Sequence, residues 1–88
     1  MNTSFKNKTA IVTGGSFGIG RAAAIAFAQK GANVVIVDWV TDHETLNTIK
    51  AMGGNAIFIQ CDVSKSEQVK AMIDQIIATY GRIDYAFN

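Results

Sequence analysis

Thr13-Gly14-Gly15-Ser16-Phe17-Gly18-Ile19-Gly20, written TGGSFGIG, joins a short apolar run to an alanine-rich segment. The run is Thr9–Thr13 (TAIVT), rich in β-branched residues and ended by glycine, and it reads as a buried strand. Over residues 18–30 the alanines, with Ile19, Ile25 and Phe27, carry strong helix propensity, and Gly31 supplies the stop. The glycines are therefore a turn from strand to helix.

The same alternation continues outward. Asn33–Asp38 (NVVIVD) has four consecutive apolar residues, as expected of a strand covered on both faces. Thr41 or Asp42 can cap a second helix whose face is Leu46, Ile49 and Met52, or Lys50 by its stem, closed by Gly53-Gly54. Asn55–Gln60 (NAIFIQ) is a third strand. Ser64-Lys65-Ser66-Glu67 fits a capping box, with Ser64 accepting from the first turn and Glu67 reaching back. The helix it opens carries Val69, Met72, Ile73, Ile76, Ile77 and Tyr80 on one stripe and stops at Gly81. Residues 83–88 (IDYAFN) begin a fourth strand, and the chain ends inside it.

Strands separated by helices call for a parallel sheet with right-handed crossovers, the first half of a doubly wound α/β fold. In the common order 3-2-1-4, two helices cover one face and the third covers the other. A ligand in such a sheet lies beyond the carboxyl ends of the strands at the topological switch point, where TGGSFGIG leaves the first strand.

Composition narrows the alternatives. A chain of 88 residues is one small unit, which removes about 60 to 65% of its unfolded surface from water. Hydrophobic residues at 49% and charged ones at 17% indicate a globular chain. A net charge of +1 with scattered lysines offers no basic stripe for nucleic acid and no polybasic membrane patch. No apolar run approaches a bilayer span, and the first ten residues lack a signal-peptide core, so the expectation is a cytoplasmic protein without membrane contact. Cys61, the sole cysteine, allows no internal disulfide and reads as a small buried hydrophobe.

Glycines at a strand-to-helix turn serve a ligand that must approach bare backbone. A pyrophosphate wants backbone N–H donors and the positive end of a helix. Gly14 permits the turn, Gly18 the close approach and Gly20 tight contact between helix and strand. Gly18-Ile19-Gly20-Arg21-Ala22-Ala23 also satisfies a dinucleotide pattern, but the strand's end at Thr13 favours the frame from Gly14. The triphosphatase loop is excluded, since no Gly-Lys-Ser/Thr follows. Asp38 ends the second strand eighteen residues after Gly20. A carboxylate there accepts from both adenosine ribose hydroxyls and repels a 2′-phosphate, favouring NAD(H) over NADP(H). Ser16 and Trp39 supply no compensating cation, and Arg21 lies one residue into the helix.

These residues together resemble the short-chain dehydrogenases/reductases, NAD(P)-dependent oxidoreductases of Rossmann fold. Thr13-Gly14-x-x-x-Gly18-Ile19-Gly20 looks like their cofactor loop, Asp38 like their NAD-selecting acid, and Cys61-Asp62-Val63 like their adenine contact. Residues 84–88 (DYAFN) look like the strand leading into their Asn-Asn-Ala-Gly segment. The resemblance implies that the backbone of Gly14, Ser16, Phe17, Gly18, Ile19 and Gly20 surrounds the pyrophosphate and ribose. It implies Asp38 on the adenosine ribose, Asp62 accepting from the adenine amino group, and the Val63 N–H donating to the ring. Asn88 would line the cofactor near its ribose. Asp62 has a plainer role open to it, capping nearby N–H groups.

The family's catalytic tyrosine, lysine and serine all lie downstream of this stretch, so no residue here is assigned to catalysis. Residues 1–88 are thus read as a partial NAD-binding Rossmann domain, inactive by itself. The full-length protein is expected to move hydride to or from an alcohol or ketone and to form a homo-oligomer. The alternative is a non-catalytic NAD-binding or regulatory module. Tyr80 falls on a helical stripe, Tyr85 on a strand and His43 on an exposed helix start, each without a catalytic partner in view. Trp39 walls the adenine pocket or covers a sheet edge.

Overall fold

Residues 34–37 alternate between two hydrophobic faces, and that alternation organises the molecule. The computed structural model describes residues 4–88. Within it β1 (Thr9–Thr13), α1 (Gly18–Gln29), β2 (Asn33–Asp38), α2 (Glu44–Ala51), β3 (Asn55–Gln60), α3 (Ser66–Tyr80) and β4 (Tyr85–Phe87) follow in that order. The sheet is parallel throughout, in the order β3-β2-β1-β4. This is the Rossmann-type arrangement the alternation calls for.

Side chains on a strand point alternately to opposite faces. Ala10, Val12, Val34, Ile36 and Ala56 meet Ala24 and Ala28 of α1 and Ile49 of α2 on one side. Ile11, Val35, Val37 and Ile59 meet Met72 and Ile76 of α3 on the other. Val34, Val35 and Ile36 are fully buried, and each contributes about 1.5–3 kcal/mol through burial. Cys61 is buried in the α3-side cluster as a free thiol. Burial, and secondarily the neighbouring Asp62 charge, pushes its pKa up.

The stripe on α3 is only half used. Met72 and Ile76 are buried, whereas Ile73 and Ile77 remain exposed. On α2 the buried pair is Thr45 and Ile49, while Met52, expected on that face, is exposed. Neither Thr41 nor Asp42 is the N-cap of α2: that position is His43, without a side-chain cap, and Asp42, one residue earlier, accepts from the Glu44 N–H at 2.9 Å.

The capping box at the start of α3 does not form. The helix begins at Ser66 without a side-chain cap. Ser64 instead donates its hydroxyl to Asp62 Oδ1 at 2.6 Å, with its N–H on the same oxygen at 3.0 Å. Gln68, one residue beyond Glu67, reaches back to accept from the Asp62 N–H at 2.8 Å. The Asp62 carboxylate accepts the Ser64 N–H that Glu67 was expected to take, and it engages the Ser64 hydroxyl as a donor.

Asp84 fastens β4 to β1 at the amino end of the sheet. Its Oδ2 accepts from the Thr9 N–H at 2.8 Å, and its own N–H donates to the Thr9 carbonyl at 2.9 Å. Arg82 clamps both carboxylate oxygens, at 2.8 and 2.7 Å. The Arg82 hydrogen bond, followed by that from Thr9, holds the Asp84 carboxyl below its ordinary range. A depressed folded-state pKa stabilises above the unfolded pKa of about 3.9 and loses its effect as pH falls through the folded value. Asp84→Asn is therefore expected to be less stable than wild type in urea at pH 7. The gap should narrow as pH falls below the unfolded carboxyl's value of about 3.9 and close once the folded-state carboxyl is protonated; a gap unchanged with pH would refute the carboxylate's role.

Candidate functional site

The loop between β1 and α1 owes its path to contacts with itself and with β2. Gly14 leaves the strand at φ +67°, in the left-handed region that side chains disfavour. Its N–H donates to the Val37 carbonyl at 2.8 Å, and that of Gly15 to the same oxygen at 3.4 Å. The chain then folds so tightly that a Cβ on Gly20 would press into the Gly14 carbonyl group, 2.7 Å from its carbon. The close contact expected of Gly20 is real, but its partner is the loop's own peptide rather than the strand side chains.

At the start of α1 nothing from the protein fills the space over the backbone. A Cβ on Gly18 would meet no atom within 4 Å. Phe17, the residue before the helix, makes no side-chain cap, and no acidic residue lies in the first turn. The first N–H groups of the helix have no intrahelical acceptor and carry the positive end of the dipole. An anion seated over Gly18 meets donors and bare backbone.

Beyond the carboxyl ends of β1, β2 and β3 opens a cleft of about 730 Å³. Gly14, Asp38, Trp39, Asp62 and Val63 line it together with Cys61. Four positions named from the sequence, Gly14, Asp38, Asp62 and Val63, thus share one cleft. Ser16, Phe17, Gly18, Ile19 and Gly20 are not part of its wall and continue past it along the loop and α1. Phe17, Ile19, Trp39 and Val63 are all exposed, with Trp39 at 73% and Ile19 at 79%. Of these, Trp39 and Val63 stand at the cleft itself, and exposed apolar side chains lining a cleft suit a ligand. Trp39 lines this cleft.

Asp38 is 8% exposed, not the solvated strand end its position alone would allow. Its Oδ2 accepts from the Ser16 N–H and its Oδ1 from the Val40 N–H, each at 3.3 Å. The carboxylate is thereby aimed, yet these long bonds leave it free acceptor capacity toward the cleft. Asp62 does cap locally, through the Ser64 bonds, which hold its carboxyl below the ordinary range, the side-chain hydroxyl first. Only Oδ1 is used in this way, so one carboxylate oxygen stays available. Asn88 accepts through Oδ1 from the Thr13 hydroxyl at 2.8 Å, which also lies 3.2 Å from the Phe87 carbonyl. That bond places Asn88 beside the root of the glycine loop, across β1 from Asp38.

Ser16 is the residue around which the site is held. Its N–H is on Asp38, and its carbonyl accepts from Arg21 Nε at 3.2 Å and Thr45 Oγ1 at 3.4 Å. Arg21 Nε is shared with Thr45 Oγ1 at 3.1 Å, and its Nη2 pairs with Glu44 at 3.3 Å. Sequence reasoning left Thr45 unassigned and placed Arg21 merely beyond the loop. The signal for Thr45 was its spacing of one helical turn from the buried Ile49. His43 is exposed and lies against Phe58, ring centroids 5.0 Å apart, away from the cleft. Among the described residues no three of His, Cys, Asp and Glu converge on a point, and no helix is long and apolar enough to cross a membrane.

Comparison with known proteins gives a consistent result. The family model described as short chain dehydrogenase matches residues 8–88. The 2,5-dichloro-2,5-cyclohexadiene-1,4-diol dehydrogenase of Sphingobium indicum is 41% identical over 86 residues, covering 98% of this chain and 34% of that protein. The citronellol catabolism dehydrogenase of Pseudomonas aeruginosa superposes with a TM-score of 0.93 at 35% identity, covering 98% of this chain and 37% of the other. A 7 alpha-hydroxysteroid dehydrogenase solved with NADH and 7-oxo glycochenodeoxycholic acid superposes at 0.90 and 34% identity, over 97% of this chain and 34% of its own. The chain spans about a third of the length of the curated relatives it matches. With the profile, the sequence identity and the sheet in agreement, this chain belongs to the short-chain dehydrogenase family.

Proposed function

We propose that this chain forms the cofactor-binding part of an NAD-dependent short-chain dehydrogenase. The family binds a nicotinamide cofactor; the choice of NAD over NADP rests on Asp38. A carboxylate held at 8% exposure, aimed by two backbone N–H groups and lining the cleft, suits two ribose hydroxyls and opposes a 2′-phosphate. Trp39, the next residue, brings no cation to offset it.

The rest of the chain takes complementary parts. Gly14, Ser16, Phe17, Gly18, Ile19 and Gly20 carry the pyrophosphate and adjoining ribose, with the α1 N–H groups as donors. Asp62 and Val63 recognise the adenine edge, Trp39 and Val63 exclude water from its faces, and Asn88 holds the chain near the nicotinamide-side ribose. When bound, the cofactor supplies hydride transfer. The protein would thereby interconvert an alcohol and a ketone, with its acid/base residues outside this stretch and its active form a homo-oligomer. The Sphingobium and Pseudomonas relatives are named as dehydrogenases, which does not favour a purely regulatory module.

Isothermal calorimetry on the full-length protein tests the reading. NAD is expected to bind at least about tenfold more tightly than NADP, the fold-change of one hydrogen bond to a charged group. Equal affinities, or tighter NADP binding, would overturn it.

A further inference from the structure

The Ser16 peptide groups are held from opposite directions, by one residue that lines the cleft and by two that do not. On one side Asp38 takes the N–H. On the other, Arg21 Nε and Thr45 Oγ1 both approach the carbonyl and each other, at 3.2, 3.4 and 3.1 Å. Thr45 is fully buried, and Ser16 is too. The Thr45 hydroxyl accepts from Arg21 while donating to Ser16, so its donor and one lone pair are both used. The only solvent-facing member is the ion pair from Arg21 to Glu44, whose carboxylate is 70% exposed and for that reason adds little.

From this geometry we infer that Arg21 and Thr45 are positioning residues for cofactor selection: by fixing the Ser16 carbonyl they keep its N–H on Asp38 and so keep the selecting carboxylate aimed. The inference rests on the NAD-binding reading above and adds to it the device that aims Asp38. Thr45 sits in the first turn of α2, so α2 is the rigid backstop of the loop between β1 and α1. A loop released from that backstop must be ordered again each time nucleotide binds, which weakens apparent affinity. The loss falls chiefly on NAD, because only NAD draws on a well-aimed Asp38. NADP, which Asp38 opposes, loses less.

Thr45→Val keeps shape and burial while deleting the hydroxyl, and Arg21→Met keeps the stem while deleting the guanidinium. In the full-length protein each is expected to weaken NAD about three- to tenfold and to shrink the ratio of NADP to NAD dissociation constants by a similar factor. Thr45→Ser should restore both. Turnover at saturating NAD should stay near wild type while KM for NAD rises. Two results would overturn the inference: unchanged nucleotide affinities in both variants, or a loss shared equally by NAD and NADP that follows a lowered Tm, which is the mark of a purely structural role. Failure of the NAD-binding reading looks different, since the wild-type protein itself would then show no preference for NAD.

Discussion

Gly20→Ala is expected to disable the protein more thoroughly than any other single change in the loop. The added methyl group would overlap the Gly14 carbonyl, whose carbon lies 2.7 Å away, and would come within 3.2 Å of Gly15 Cα. All of these obstacles are backbone, so no side chain can swing aside. Either α1 shifts away from the sheet or the loop opens, and overpacking of this kind costs about 1–3 kcal/mol or more. Because the displaced atoms also form the anion seat, nucleotide binding should fall together with stability. The contrast is Gly18→Ala. There the methyl group meets nothing within 4 Å, and the cost to the free protein is the strain of φ +56°, about 1 kcal/mol. Its damage should appear in binding, where the methyl group occupies the space a phosphate would take. Thermal unfolding and calorimetry on both variants separate the two. A Gly20→Ala protein as stable as wild type would show that the tight contact is unimportant.

Asp38→Asn is expected to produce the largest change in selectivity. The carboxamide keeps one oxygen to accept from Ser16 or Val40, so the loop is largely retained, but the negative charge is gone. A hydrogen bond to a charged group contributes about 1.5–3 kcal/mol, so NAD should weaken by about ten- to a hundredfold. NADP, no longer repelled, should bind more tightly than to wild type. Asp38→Ala removes both acceptors that hold the Ser16 and Val40 N–H groups. It should therefore lose NAD affinity further and stability as well, since two donors are left without their carboxylate. Competition binding with the two nucleotides reads both effects. An unchanged preference in Asp38→Asn would show that Asp38 is not the selector.

The half-used stripe on α3 shows where local pattern and burial part company. Val69, Met72, Ile73, Ile76, Ile77 and Tyr80 were legible as one apolar face from spacing alone. The sheet covers the line of Val69, Met72, Ile76 and Tyr80 and leaves Ile77 46% exposed. Periodicity reports that a residue prefers to be covered; the width of the covering surface is a property of the neighbours. The capping box failed for a related reason. A serine and a glutamate at the right separation satisfied a local rule, and a nearby carboxylate instead engaged the serine's own N–H and hydroxyl.

By itself the sequence determined the order of strands and helices, the glycine turn and the position of Asp38. Each depends on residues close together in the chain: an apolar run, a helix stop, a glycine where no side chain fits. Tertiary structure alone decided how those parts hold one another. The Ser16 to Asp38 bond spans 22 residues, the Thr45 to Ser16 bond 29, and the Thr9 to Asp84 bond 75. No spacing rule announces such pairs, because it is the parallel crossovers that bring them together. A polar residue on a helix or a loop is locally indistinguishable from a solvated one until the fold buries it beside its partner.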